Sequence, residues 1–236
     1  LAAHVGDWAG FTAVERERLL HLTAEFLPSC RWEAARGFEL TDEMCTVIAA
    51  QVALVCLGFE EEGLAPVAEV TTIIVHPRTI VLDGTHHEGG GIMYDGERTL
   101  SGEAHDDHGP LLLAWDAVRR ETRYRRGRRN VVIHEVAHKL DMLDGVIDGT
   151  PPHADPDALR RWTTVSDRVY RAMQREADPV LDDYGATAPS EFFAVVSEQF
   201  FTGPLALQEA HPDLYDCYRE FYRQHPAARR QRALQV

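Results

Sequence analysis

Residues 131–143 are apolar on most sides of any helix they form, yet they include His134, Glu135, His138 and Asp141. A helix of that kind is central to a fold, with little of its surface left for water. Its polar groups then need partners, because an unpaired ionisable side chain is costly to bury. Asn130 supplies a capping side chain ahead of the first turn, and Gly145 stands where a left-handed C-terminal cap falls. His134 and His138 are four residues apart, so on a helix they lie one turn above each other and both rings can reach a single ion. Glu135 leaves the helix about 100° around from His134. That offset puts its carboxylate beside a reacting water instead of on the ion, the place of a general base in a zinc hydrolase. Two core histidines satisfied by hydrogen bonds are the plainer alternative, and these residues alone leave it open.

Zinc in a hydrolase usually takes three protein ligands and water, so a third ligand has to be found. Asp144 lies ten residues after His134, at the metzincin position. Asp141 stands where that pattern has its turning glycine, and Met142 and Leu143 continue the helix, which ranks Asp144 low. Asp141 shares the face of the two histidines and is expected to orient an imidazole as a neighbouring carboxylate. Stronger candidates occur in 184–201, where Thr187, Ala188 and Pro189 read as a helix start. That helix presents Phe192, Phe193, Val196, Phe200 and Phe201, with Glu191 and Glu198 two turns apart on another side. A carboxylate on so apolar a helix must be paired or bound. The spacing does not choose between Glu191 and Glu198. Tyr184, taken on spacing alone, reads as a core aromatic before a turn.

Several stretches of the chain resemble the Mlc titration factor A family of bacterial zinc peptidases. They are residues 134–145, Tyr184, the run 189–201, 40–44 with 48–51, and Gly109-Pro110 through Trp115-Asp116. That family is related to the catalytic domain of anthrax lethal factor, a gluzincin-type enzyme. The resemblance implies zinc bound by His134, His138 and Glu191, Glu135 as general base, and Tyr184 pointing into the site to stabilise the oxyanion. It implies one zinc ion and a peptide or protein substrate with aminopeptidase-like cleavage. A transcriptional repressor is implied as a further partner, linked to regulation of sugar uptake. The alternative is a regulatory protein that sequesters such a repressor, with zinc mainly structural. The implied fold class is α+β: a mainly helical, gluzincin-like zincin with a small mixed β-sheet beside the His-Glu-x-x-His helix. In such enzymes an edge strand next to the zinc helix binds substrate backbone. The apolar run 111–115 is the candidate for that strand.

With 236 residues the chain suits one moderate unit, divided here into an N-terminal helical region, 1–65, and a zinc peptidase domain, 66–236. Its net charge of −14 argues against nucleic acid or an anionic membrane as main partner. No apolar run approaches the ~18 residues of a membrane span, and the opening residues do not read as a signal peptide. Cys30, Cys45, Cys56 and Cys217 lack C-x-x-C spacing and read as reduced thiols, so the expected compartment is the cytoplasm.

Helices are expected over 14–27, closed by Pro28, and over 41–57, 155–175 and 205–224. Residues 71–75, 79–82 and 111–115 are expected to make one small sheet. Residues 83–108 read as a loop with room for a hairpin, and His86, His87, His105 and His108 within it suggest either a surface loop or a second metal site. Arg119, Arg120, Arg123, Arg125, Arg126, Arg128 and Arg129 form a basic run that ends at the cap of the zinc helix. That run reads as a solvated loop or as a dock for a carboxylate.

Overall fold

The computed structural model describes residues 1–35, 37–88, 92–100, 102–104, 109–123 and 129–235. Helix α1 (Ala13–Ser29) begins with a capping box: the Thr12 hydroxyl accepts the Glu15 amide, and the Glu15 carboxylate accepts the Thr12 amide. Pro28 sits inside its last turn instead of ending it, where the helix is already closing. A strand, β1 (Arg31–Ala34), follows. Helix α2 (Asp42–Cys56) is capped by Thr41 and buries every residue from Val47 to Cys56, Gln51 included.

The next strands are β2 (Thr72–His76), β3 (Ile80–Glu88), β4 (Ile92–Leu100), β5 (Gly102–Ala104) and β6 (Leu111–Ala114). β1, β2 and β6 are parallel, β5 is antiparallel to β6, and the order is β1-β2-β6-β5. Burial alternates along β2, with Ile73 and Val75 turned into the core. Two expectations change here. Among the described residues the run at 79–82 does not join this sheet: β3 pairs with β4, as a separate antiparallel hairpin that takes in much of the expected loop. The run at 111–115 is not an edge strand. β6 lies between β2 and β5, because the short β5 adds to its otherwise open side.

Helices α3 (Trp115–Arg123) and α4 (Val131–Asp141) come next, and a 3-10 turn closes α4 at Gly145, whose φ of 83° is left-handed. α5 (Pro156–Met173) is capped by Asp155. α6 (Pro189–Thr202), α7 (Pro204–Ala210), α8 (Pro212–Tyr222) and α9 (Pro226–Leu234) complete the chain. The single helix expected over 205–224 is thus two. Pro212 has no amide hydrogen to continue α7 and starts a new helix instead.

α4 packs between α2 and α6 and also touches β5 and β6. Trp162 of α5 stacks on Tyr218 of α8 at 4.7 Å and meets Phe193 of α6 edge-on at 5.7 Å, so three helices share one aromatic core. At the back, α9 packs on the 3-10 turn Trp8–Gly10 and its Arg229 reaches the Glu15 carboxylate at 3.3 Å. The helices of 1–65 therefore pack directly onto elements from the rest of the chain.

Candidate metal centre

The start of α4 is held by three acceptors. Asn130 Oδ1 takes the Ile133 amide at 3.2 Å, Glu121 Oε2 the Val131 amide at 2.8 Å, and Glu198 Oε2 the Asn130 amide at 2.5 Å. Carboxylates suit the positive end of a helix dipole. Asn130 Nδ2 also donates to Gln51 Oε1 at 2.8 Å, which ties the cap to α2.

One turn on, the rings of His134 and His138 lie 4.8 Å apart, with their Nε2 atoms 3.2 Å from each other. α6 brings Glu191 to them from across the fold. Its Oε2 lies 3.0 Å from His134 Nε2 and 3.5 Å from His138 Nε2. One ligand atom from each of the three residues falls within 4.8 Å of the others. Two imidazole nitrogens and one carboxylate oxygen converging on one point are a donor set that suits zinc, with room in the coordination sphere for a further ligand. The structure thus joins His134, His138 and Glu191.

Glu198 has a different place. Its Oε1 lies 2.7 Å from His134 Nδ1, on the side of the ring away from the cluster. It is therefore Glu198, not Asp141, that orients an imidazole. Asp141 faces the other way: its Oδ2 accepts the Gly149 amide at 2.9 Å, and its Oδ1 has no hydrogen-bond partner among the described residues. The reason is positional. Asp141 belongs to the last turn of α4, where the chain folds back beneath it. Asp144 is exposed and serves only the local turn, accepting the Val146 amide at 3.0 Å.

The charges in the cluster depend on one another. Burial pushes the Glu191 carboxyl up, but hydrogen bonds with His134 and His138 outweigh this and hold it well below the usual range. Burial lowers His134, and its bonds with Glu191 and Glu198 more than reverse that. Glu135 is 4% exposed and lies beside the pair without bridging them; burial raises its pKa, partly offset by the two imidazoles. Burial likewise raises Asp141, to about 6.

Tyr184 lies on the 3-10 turn Asp183–Ala186, with its ring centroid 6.1 Å from that of His134. It is 38% exposed, so it is not the core aromatic that spacing alone suggests. Asp182 caps its turn, accepting the Tyr184 amide at 3.1 Å, and Asp182 is itself gripped by Arg129 through Nε at 3.2 Å and Nη2 at 3.1 Å. Arg129 adjoins the cap of α4, so the fork links the tyrosine turn to the histidine helix. No local pattern announces a pair 53 residues apart. Of the basic run, 124–128 lie outside the described residues, as do His105 and His108, and with them the alternative of a second metal site.

A small mixed sheet laid beside such a helix is the α+β, zincin-like fold of a metallopeptidase. The chain belongs to the glucose-regulated metallo-peptidase M90 family, whose profile matches residues 1–223. It is 32% identical over 219 residues to the uncharacterized protein slr2042 of Synechocystis sp., covering 91% of this chain and 78% of that protein. It is 33% identical over 224 residues to Mlc titration factor A of Pectobacterium atrosepticum, covering 91% and 81%. The match to Mlc titration factor A of Salmonella typhimurium is 32% over 225 residues, covering 92% and 82%. No helix among the described residues is long and apolar enough to cross a membrane.

Proposed function

We propose that the protein is a zinc-dependent peptidase in which His134, His138 and Glu191 hold one zinc ion, Glu135 is the general base and Tyr184 assists at the carbonyl. The observation that carries this reading is the convergence of one ligand atom from each of three side chains within 4.8 Å, two from α4 and one from α6. Zinc at such a site acts as a Lewis acid, polarising a peptide carbonyl and making water acidic enough to lose a proton near neutral pH. Glu135 takes the proton of the attacking water on a carboxylate oxygen and delivers it to the leaving amine nitrogen. Its burial supports this role, because a carboxyl with a raised pKa both accepts and returns a proton more readily near neutrality. The exposed Tyr184 phenol donates a hydrogen bond to the carbonyl oxygen as charge builds there. Substrate backbone adds to β5, one of the two edge strands of its sheet among the described residues, which α4 touches.

These residues belong to a peptidase domain, 66–236, onto which 1–65 packs and to whose sheet it adds β1. Cleavage of an aminopeptidase kind and a cytoplasmic location complete the reading, the latter supported by free Cys30, Cys45, Cys56 and Cys217. Metal analysis with a peptide-library cleavage profile tests it. About one zinc per chain is expected, with cleavage that depends on Glu135. A metal-free preparation, or equal cleavage by Glu135→Gln, refutes it.

The name of the relatives, Mlc titration factor A, favours a second role in which the chain binds Mlc, the partner that the family resemblance implies to be a transcriptional repressor linked to sugar uptake. Purified Mlc binding Glu135→Gln as tightly as the parent protein would support binding as that role. Absence of binding to either form would remove it.

A further inference from the structure

Helix α6 carries Glu191 in its first turn, but it lacks the usual means of fixing that turn. Its cap residue, Ala188, makes no side-chain hydrogen bond to the exposed amides. Gly149, whose φ of +78° is left-handed, presses on that helix start so closely that a Cβ there would stand 2.2 Å from the Pro189 carbonyl oxygen. Gly149 is pinned on both sides. Its carbonyl accepts the Trp162 indole N–H at 3.3 Å, and its amide donates to Asp141 Oδ2 at 2.9 Å. Asp141 is fully buried, and a carboxylate is an expensive way to fill a core position if packing alone were needed.

We infer that Asp141 is a positioning residue for the metal centre: through the Gly149 amide it fixes the seat on which Pro189 rests, and so places Glu191 opposite His134 and His138. α4 thereby sets both halves of the site, presenting two imidazoles directly and the carboxylate through its own last turn. This rests on Glu191 being a metal ligand.

Zinc affinity, measured by chelator competition on folded protein, tests the inference. Asp141→Asn keeps an acceptor for the Gly149 amide and is expected to bind within about threefold of the parent, whereas Gly149→Ala leaves Asp141 intact, displaces Pro189 and loses about 10–100-fold, the scale for groups that orient ligands. Gly149→Ala binding like the parent, or Asp141→Asn binding as poorly as Glu191→Ala, overturns it. A measurement on the unmodified protein covers the case in which Gly149→Ala does not fold. Linkage is reciprocal, so zinc should slow hydrogen exchange at the Gly149 amide by about tenfold relative to the Met44 amide at the α2 cap. An unchanged ratio overturns the inference. Parent-like zinc binding by Glu191→Ala would instead overturn the ligand assignment beneath it.

Discussion

Glu198 holds His134 from behind: one oxygen sits 2.7 Å from the ring Nδ1, while the other accepts the amide of Asn130, which caps the same helix. With a metal held at the site, a carboxylate in that position would keep the proton on Nδ1 and leave the Nε2 lone pair for the ion. Glu198→Gln is therefore expected to bind zinc about 10–100-fold more weakly without losing it. Glu191→Ala is expected to lose the metal in the same assay. If Glu198→Ala is the variant that empties the site and Glu191→Ala is not, the third-ligand assignment is wrong.

Glu135 is not one of the three residues whose ligand atoms converge, so its loss should spare metal binding. Glu135→Gln is expected to keep the parent zinc content and to lose at least ~10²-fold in peptidase rate, the scale for a missing acid–base group. Rate and metal content measured on one preparation separate the two effects. Full activity in that variant removes Glu135 from its role.

The Arg129–Asp182 fork links the start of α4 to the turn that carries Tyr184. As an exposed ion pair it contributes only about 0–1 kcal/mol to stability, so Arg129→Met should melt close to the parent and keep its zinc. Its rate should fall toward that of Tyr184→Phe, and the double variant should be no slower than Tyr184→Phe alone. Additive losses would show that the fork does not act through the tyrosine.

Metal uptake should release a proton. In the metal-free site, burial lowers the His134 pKa but hydrogen bonds with Glu191 and Glu198 raise it well above its ordinary value, so the ring is protonated at neutral pH. A ligand nitrogen must be free of its proton, so zinc expels about one per site. Affinity accordingly falls as pH drops below that raised pKa. Zinc calorimetry at pH 7 in two buffers of different ionisation enthalpy measures the release. Zero release would contradict this charge state.

How much of this was legible in the chain differs from residue to residue. Asn130, the two histidines, Glu135 and the left-handed Gly145 all belong to one short helix, where spacing translates directly into direction. The expectation of one helix over 205–224 passed over Pro212, which lacks the amide hydrogen to continue α7 and opens α8. The sheet was less legible. Residues 79–82 and 111–115 have the composition of strands, but composition does not say which strand lies at an edge, since that depends on where a three-residue partner such as β5 comes to rest.

The sequence by itself therefore determined a buried helix presenting two imidazoles and a carboxylate, along with two later glutamates that needed partners. Spacing left the choice between those glutamates open and the family resemblance implied Glu191; the tertiary structure turns Glu191 toward both Nε2 atoms and Glu198 toward the back of His134. It alone joined Arg129 to Asp182 and seated Pro189 on Gly149. The physical reason is range. Helical periodicity orients side chains within a few turns, whereas α4 and α6 meet across more than fifty residues, and their mutual rotation is set by how the packed side chains between them fill space.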